Sequence, residues 1–154
     1  MRRFASIDEL AGAVGETLGP GPWFPIDQRR VDIFADATDD HQWIHLDRER
    51  AAAGPYGGTI AHGYLTLALL PALVGRLYRV DGVRMGVNYG LNRVRFPAPV
   101  PVGSSVRVFA TIDRVDPFEG GAQLVVTATV HGDGGGKPVC VAETVSRLYT
   151  DPPR

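Results

Sequence analysis

Apolar residues change their spacing near the middle of the chain. Up to about Tyr78 they recur every three or four positions, as in helices, and beyond Val83 they recur at every second position, as in strands. Helices followed by strands indicate an α+β domain with an antiparallel sheet. A chain of 154 residues is long enough for one such domain and short for two, so residues 1–154 are predicted to form a single domain.

Three short helices are predicted in the first third of the chain. Ser6, with Glu9 three residues later, is typical of a capping box at a helix start. Asp27 can cap a second helix, and a third is predicted over residues 48–53, before a glycine-rich break. The buried side of the second helix is predicted to hold four residues: Val31, Ile33, Phe34 and Ala37.

The segment from His62 to about Tyr78 reads HGYLTLALLPALVGRLY and is apolar on every face. A helix of this kind is predicted to be buried all round, with a kink at Pro71. Four strands are predicted after it, over residues 83–96, 106–112, 124–130 and 139–149, with a bulge near Asn92 and Arg93 where the alternation changes parity. A sheet that curls around one helix would bury it. The predicted fold class is therefore α+β, a single hot-dog fold with a curled antiparallel sheet wrapped around a central apolar helix.

Composition narrows the possible functions. The formal net charge is −1 and the sixteen Lys and Arg residues are scattered, which argues against a nucleic-acid or membrane surface. Cys140 is the single cysteine, so an intrachain disulfide and a cysteine-based zinc site are excluded. No apolar stretch follows the basic N-terminal residues, and we expect a cytoplasmic protein.

The chemistry-bearing residues lie in a polar loop and at the start of the apolar helix. The loop, FADATDDHQWIHLDRERA, contains Asp40 and, five residues later, His45; the helix begins after Ile60-Ala61-His62-Gly63. This pattern resembles the signature of MaoC-like (R)-specific enoyl-CoA hydratases, and most closely the branch that includes nodulation protein N. The likeness continues through Asn88-Tyr89-Gly90 and Pro99-Val100 and spans roughly residues 25–110.

The resemblance implies a reaction and a set of roles. Asp40 and His45 would form the catalytic pair that adds water to a trans-2-enoyl-CoA, and the Gly63 N–H would be a donor to the thioester oxygen. Four residues are assigned to oxyanion or substrate binding: Gly63, His62, Asn88 and Gln42. No metal or redox cofactor is implied, the substrate is an acyl-CoA thioester or an acyl-carrier-protein thioester, and the protein is expected to be a homodimer.

Gln42-Trp43 departs from the Asn-Pro found in many members of the family. Gln42 can still form hydrogen bonds, and the bulk of Trp43 suggests a partly closed acyl tunnel, so chain-length preference is affected more than reaction type.

Other readings stay open. The loop carboxylates are also compatible with simple exposure to solvent. His41 and His45 are four residues apart, as two metal ligands on one helix face would be, but the sequence pattern contains no third ligand to support a metal site. His62 suits a helix-entry residue that bonds the loop, and Asn88 suits either the tunnel or backbone pairing. A hot-dog thioesterase, a non-catalytic acyl-binding protein and a dehydratase of fatty-acid elongation are the alternative functions.

Overall fold

The computed structural model describes residues 1–150. The predicted single domain, 1–154, includes residues 151–154, which lie outside the described residues. The helices are α1 (Ile7–Gly12), α2 (Gln28–Thr38), α3 (Trp43–Leu46), α4 (Arg48–Ala52), α5 (Gly63–Ala68) and α6 (Leu70–Val74). The strands are β1 (Arg2–Phe4), β2 (Thr17–Leu18), β3 (Phe24–Pro25), β4 (Tyr78–Val80), β5 (Met85–Arg95), β6 (Ser105–Phe118), β7 (Gly121–Gly132) and β8 (Cys140–Tyr149).

The four predicted strands form the main sheet. Its order is β2-β6-β7-β8-β5, its long strands are antiparallel, β3 also pairs with β6, and it does not close into a barrel. The pairing of β5 with β8 shifts between Leu91 and Arg93, which confirms the predicted bulge, and shifts again between Asn88 and Gly90. The short strands β1 to β4 were not predicted. Strands β1 and β4 form a separate parallel two-stranded sheet, and β2 and β3 pair with β6; each has too few residues to show an alternation.

One face of the sheet packs against α5 and α6. The buried residues of this layer come from helices and strands alike: Leu65, Leu69, Leu70, Leu73, Val106, Val108, Ile112, Leu124, Val126, Ala128 and Ala142. The helix predicted from His62 to Tyr78 is wrong in its extent, because it is interrupted at Leu69 and Tyr78 already belongs to β4. Pro71 lies in the first turn of α6, where its missing N–H removes no helical hydrogen bond.

The prediction of burial on every face is also wrong. Tyr64, Ala68, Pro71 and Ala72 are exposed on α5 and α6, although each is apolar or aromatic. The sheet covers only one side of these helices, so their apolar composition leaves an uncovered side in the single chain.

Local capping follows the sequence closely. The Ser6 hydroxyl accepts from the Glu9 N–H, and the Asp27 carboxylate accepts from the Arg30 N–H at the start of α2. The predicted buried side of α2 is wrong for Ile33 and Ala37, which are exposed. Val31 and Ala35, four residues apart, form the buried stripe instead, with Phe34 partly buried beside it. Among the helices of residues 1–150, none combines the length and apolar character needed to cross a bilayer.

Candidate active site

Asp40 and His45 lie where α2 ends and α3 begins. Asp39 closes α2 in the left-handed conformation (φ 56°), which turns the chain and places Asp40 at the start of the connecting loop. His45 lies in α3, and its side chain is buried. Two short elements separated by a sharp turn therefore present these side chains close together.

One contact decides the protonation of the His45 ring. Its Nδ1 lies 2.6 Å from the backbone carbonyl oxygen of Ile60. Because a carbonyl oxygen only accepts, Nδ1 carries the hydrogen and Nε2 of the neutral ring keeps a free lone pair. The contact also ties the loop to the segment just before α5.

Burial lowers the pKa of His45, and the hydrogen bond to Ile60 raises it to a smaller extent. The nearby His62 ring lowers it further, and the Asp40 carboxylate raises it by the smallest contribution. The net direction is below the ordinary value, so near neutral pH the ring is mainly the uncharged base.

Three polar side chains meet at this point. One carboxylate oxygen of Asp40, one ring nitrogen of His45 and one of His62 all lie within 4.8 Å of one another. A carboxylate and an imidazole at such a separation can both bond to a single water molecule, because each hydrogen bond spans about 2.8 Å. The Asp40 side chain is about half exposed, at 49%, so solvent reaches the cluster from that side.

His62 immediately precedes α5 and contacts both Asp40 and His45. Its Nε2 lies 2.9 Å from the backbone oxygen of Asp40, in agreement with the expectation that it bonds the loop. Its ring stacks on that of His45, with centroids 3.7 Å apart and planes 24° from parallel.

Gln28 was not singled out in the sequence, yet it fixes the backbone of His45. Its Nε2 donates to the His45 carbonyl oxygen at 2.8 Å and to Asp32 Oδ1 at 2.9 Å, while its Oε1 accepts from the Thr59 hydroxyl at 2.7 Å. Nothing in the local sequence indicates this network, because a glutamine in the first turn of a helix is commonplace.

A cavity of about 530 Å³ borders this cluster. His45, Gly63 and Thr66 lie on its wall, and the loop from Phe96 to Val100 forms another part of it. Gly63 is the first residue of α5, so its N–H is not used by the helix. A Cβ atom at Gly63 would lie 2.9 Å from the Phe96 ring, so a larger residue there would have to displace that ring.

The other two predicted binding residues lie elsewhere. Gln42 is exposed as the residue before α3, and its side chain does not cap that helix. Asn88 lies on β5 and borders a second cavity of about 710 Å³, away from the wall formed by His45. This second cavity lies beside the later turns of the helical segment, from Leu67 to Tyr78, and most of the side chains around it are apolar.

Trp43 does not line either cavity. Its ring lies against Gly54 and under the Arg50 guanidinium, 4.3 Å from the ring centroid. The suggestion that its bulk closes part of a tunnel is therefore not matched by its position.

The fold brings His62 beside His45. His62 is therefore the third histidine that the sequence pattern lacked for a metal site. The two rings are nearly parallel, so their in-plane lone pairs do not converge. A Zn²⁺ ion about 2 Å from a nitrogen of each ring would lie well out of both ring planes. His41 points to another partner, Asp36, at 2.9 Å, and that hydrogen bond raises the pKa of His41. The geometry favours proton chemistry over metal ligation.

Comparison with known proteins places this arrangement in a family. The family model described as "MaoC like domain" matches residues 9–133. This chain belongs to the MaoC-like family. It is 55% identical over 148 residues to 3-hydroxyacyl-thioester dehydratase Z of Mycobacterium tuberculosis, which covers 96% of this chain and 98% of the relative.

Two further similarities agree with the resemblance and the fold. Nodulation protein N of Rhizobium leguminosarum bv. viciae is 42% identical over 151 residues, covering 96% of this chain and 93% of that protein. The solved structure of R-hydratase PhaJ1 from Pseudomonas aeruginosa superposes with a TM-score of 0.73 at 24% identity, covering 96% of this chain and 88% of that one. The hot-dog fold and the predicted family are thus confirmed.

Proposed function

We propose that this MaoC-like protein catalyses the reversible addition of water to a trans-2-enoyl-CoA, giving the (R)-3-hydroxyacyl-CoA. The observation that carries the proposal is the neutral His45 ring with Nε2 free, clustered with the Asp40 carboxylate beside a cavity. The coarser class, a hydro-lyase acting on 3-hydroxyacyl thioesters, follows from the family and from a full-length relative named as a dehydratase. The (R) configuration rests on the resemblance of the motif.

The geometry suggests a division of labour that the sequence left open. As water attacks C3, His45 Nε2 accepts a proton from it, and the electrons of the double bond move onto the thioester oxygen. The imidazolium then returns a proton to C2, so one water is consumed and no other proton is needed. Asp40 accepts a hydrogen bond from the other O–H of the water, whose hydrogen stays on the oxygen that becomes the 3-hydroxyl, and the carboxylate stabilises the imidazolium charge. Dehydration runs through the same steps in reverse.

The thioester oxygen gains negative charge during the attack and needs a hydrogen-bond donor. Gly63 borders the same cavity as His45, and its N–H is free of helical bonding. A backbone N–H held on a helix end stabilises such charge without reorganisation, so we assign it as the oxyanion donor. The resemblance also implies substrate binding by His62 and Gln42, but neither residue lies on the wall of this cavity, so we assign them no direct contact with the substrate.

The acyl chain is assigned to the second, apolar cavity. The two cavities follow one another along the helical segment, since Thr66 borders the first and Leu67 the second. A chain extending from the thioester would pass from one to the other, and Asn88 would lie beside it. In this assignment the acyl chain would contact the later turns of the helical segment.

The proposed partners are an acyl-CoA, or the same acyl group on a carrier protein, and a second copy of this chain. A homodimer is supported by strand β5, which pairs on one side with β8 and is exposed along nearly its whole length. A cytoplasmic location stays a prediction.

The test measures loss of the conjugated double bond of crotonyl-CoA and of a longer 2-enoyl-CoA by absorbance, with chiral analysis of the product. Wild-type protein is expected to consume both and give the (R)-alcohol. Asp40→Asn and His45→Gln should each lower kcat by about 10²–10⁴-fold while the circular dichroism spectrum is kept.

The rival functions give different outcomes. Release of free CoA thiol without loss of the double bond would identify a thioesterase, with Thr66 as the polar residue of the first helical turns on the cavity wall. Binding of an acyl-CoA with neither reaction would identify an acyl-binding protein. Either result would contradict the proposal.

A further inference from the structure

We propose that His62 is a positioning residue that holds both members of the catalytic pair, Asp40 through a hydrogen bond to its backbone oxygen and His45 through ring stacking. This inference rests on the proposed function, because the alignment of Asp40 and His45 matters to a rate only if they take part in the reaction. His62 itself is not assigned to any step of proton transfer.

The hydrogen bond from His62 to the backbone oxygen of Asp40 fixes the start of the loop, where few other interactions do so. The Asp40 side chain is half exposed, and the residue follows directly after the left-handed end of α2. Within residues 1–150, His62 is the one side chain that forms a hydrogen bond with Asp40. Since the acceptor is a carbonyl oxygen, Nε2 of His62 carries the hydrogen.

Ring stacking adds a second constraint on His45. The hydrogen bond from Nδ1 to Ile60 fixes one ring atom but leaves the tilt of the ring about that contact free. The His62 ring, 3.7 Å away and nearly parallel, removes that freedom. Its position is in turn set by burial, since the residue is 3% exposed, and by the Phe34 ring of α2 at 5.0 Å.

The ionisable groups facing His62 are His45 on α3 and Asp40 on the loop, while α2 contributes the aromatic Phe34. The buried Nδ1 of His62 has no hydrogen-bond partner within residues 1–150, so a proton there would be an unpaired buried donor. Two imidazolium rings in this stack would also repel each other, which is why the His62 ring lowers the pKa of His45.

Two substitutions separate the two contacts. His62→Phe keeps an aromatic ring for stacking but removes the donor to Asp40, and His62→Gln keeps a side-chain N–H but removes the ring. For His62→Phe we expect kcat to fall by about 10–100-fold, the scale of a misplaced catalytic group, with KM changed by less than about twofold. His62→Gln should recover part of the loss, since its amide can replace the bond to Asp40. His41→Gln is the matched control, because His41 is an exposed histidine one residue from Asp40 that pairs with Asp36.

A second measurement does not depend on enzymatic activity. Proton NMR titration of the His45 ring is expected to give a higher midpoint in His62→Phe than in the wild type, because a neighbouring ring that can be charged is replaced by one that cannot. In the active enzyme the acid limb of the kcat profile should move to higher pH by the same amount. His41→Gln should leave both unchanged.

The outcomes are distinguishable. If the wild type is inactive but the NMR titration midpoint of His45 is higher in His62→Phe, the hydratase function is contradicted. The role of His62 in setting the environment of His45 is then kept. An active wild type with unchanged kcat in folded His62→Phe would overturn the positioning role. Equal losses in both variants with KM rising in parallel would also overturn it, since that pattern indicates a general structural defect. If His62→Phe does not fold, His62→Gln with the same titration decides, because its midpoint must also rise.

Discussion

At the scale of single residues, the proposed chemistry depends on which nitrogen of His45 is free. The sequence paired Asp40 with His45 through the resemblance of their spacing, but it left base and acid unassigned. The contact with the Ile60 carbonyl, fifteen residues along the chain, selects the Nδ1–H tautomer and supports His45 as the proton acceptor. Long-range contacts of this kind have no local signature, so spacing alone did not reveal the assignment.

Gly63 gives a residue-scale prediction. In Gly63→Ala the new Cβ would lie 2.9 Å from Cδ2 of Phe96, so the ring must move and the cavity wall beside the proposed oxyanion donor moves with it. We expect kcat/KM on crotonyl-CoA to fall by about 10²-fold, as for loss of an oxyanion donor, with only a small change in melting temperature.

Gly12→Ala is the control for Gly63→Ala, since a Cβ at Gly12 meets nothing within 4 Å. A Gly63→Ala enzyme as active as the wild type would remove the argument for close packing at the first turn of α5.

At the scale of elements, the contact between α2 and α3 yields the next prediction. Gln28 in the first turn of α2 bonds the His45 carbonyl and the Thr59 hydroxyl, so Gln28→Leu leaves both without their partner. The free energy of unfolding is expected to fall by about 1–3 kcal/mol, the cost of unpaired buried polar groups. Because the backbone of His45 is loosened, kcat should fall as well.

A double-mutant cycle with Thr59→Val checks this network. If Gln28 and Thr59 act together, the loss of unfolding free energy in the double variant, measured by urea denaturation, should be smaller than the sum of the two single losses. Strict additivity would show that the two side chains stabilise the protein independently.

The helices and long strands show which features of the fold can be predicted from neighbouring residues in the sequence. Caps at Ser6 and Asp27, the bulge near Arg93 and the long strands were predictable, because each depends on neighbours in sequence. The break at Leu69 and the exposure of Ile33 were not, because they depend on how each helix packs in the folded chain. Asp40 and His45 were proposed as the catalytic pair from their motif, whereas the supporting network through Gln28 exists only after folding.

At the scale of the whole molecule, one edge of the sheet and one side of the helical segment are left uncovered. Large apolar side chains are exposed along β5, namely Met85, Val87, Tyr89 and Leu91, and Tyr64 is exposed on α5. The backbone N–H and C=O groups along a long apolar edge strand are unpaired and can bond to another strand. Proteins normally cover such an edge or place charged residues on it. The helical segment is apolar on every face, and in the proposed dimer its uncovered side would be buried by the second chain.

This reasoning gives the last prediction, which concerns the oligomer. If β5 pairs with β5 of a second copy, the molar mass by light scattering should be twice 16.6 kDa, about 33 kDa. Val87→Lys with Tyr89→Lys would place four charges at the symmetric interface and should give a monomer. Ile33→Lys, which charges an exposed apolar residue of α2, should remain a dimer. A monomeric wild type would contradict pairing with itself and leave a different subunit as the partner for this edge. A dimer that survives both lysines would place its interface away from β5.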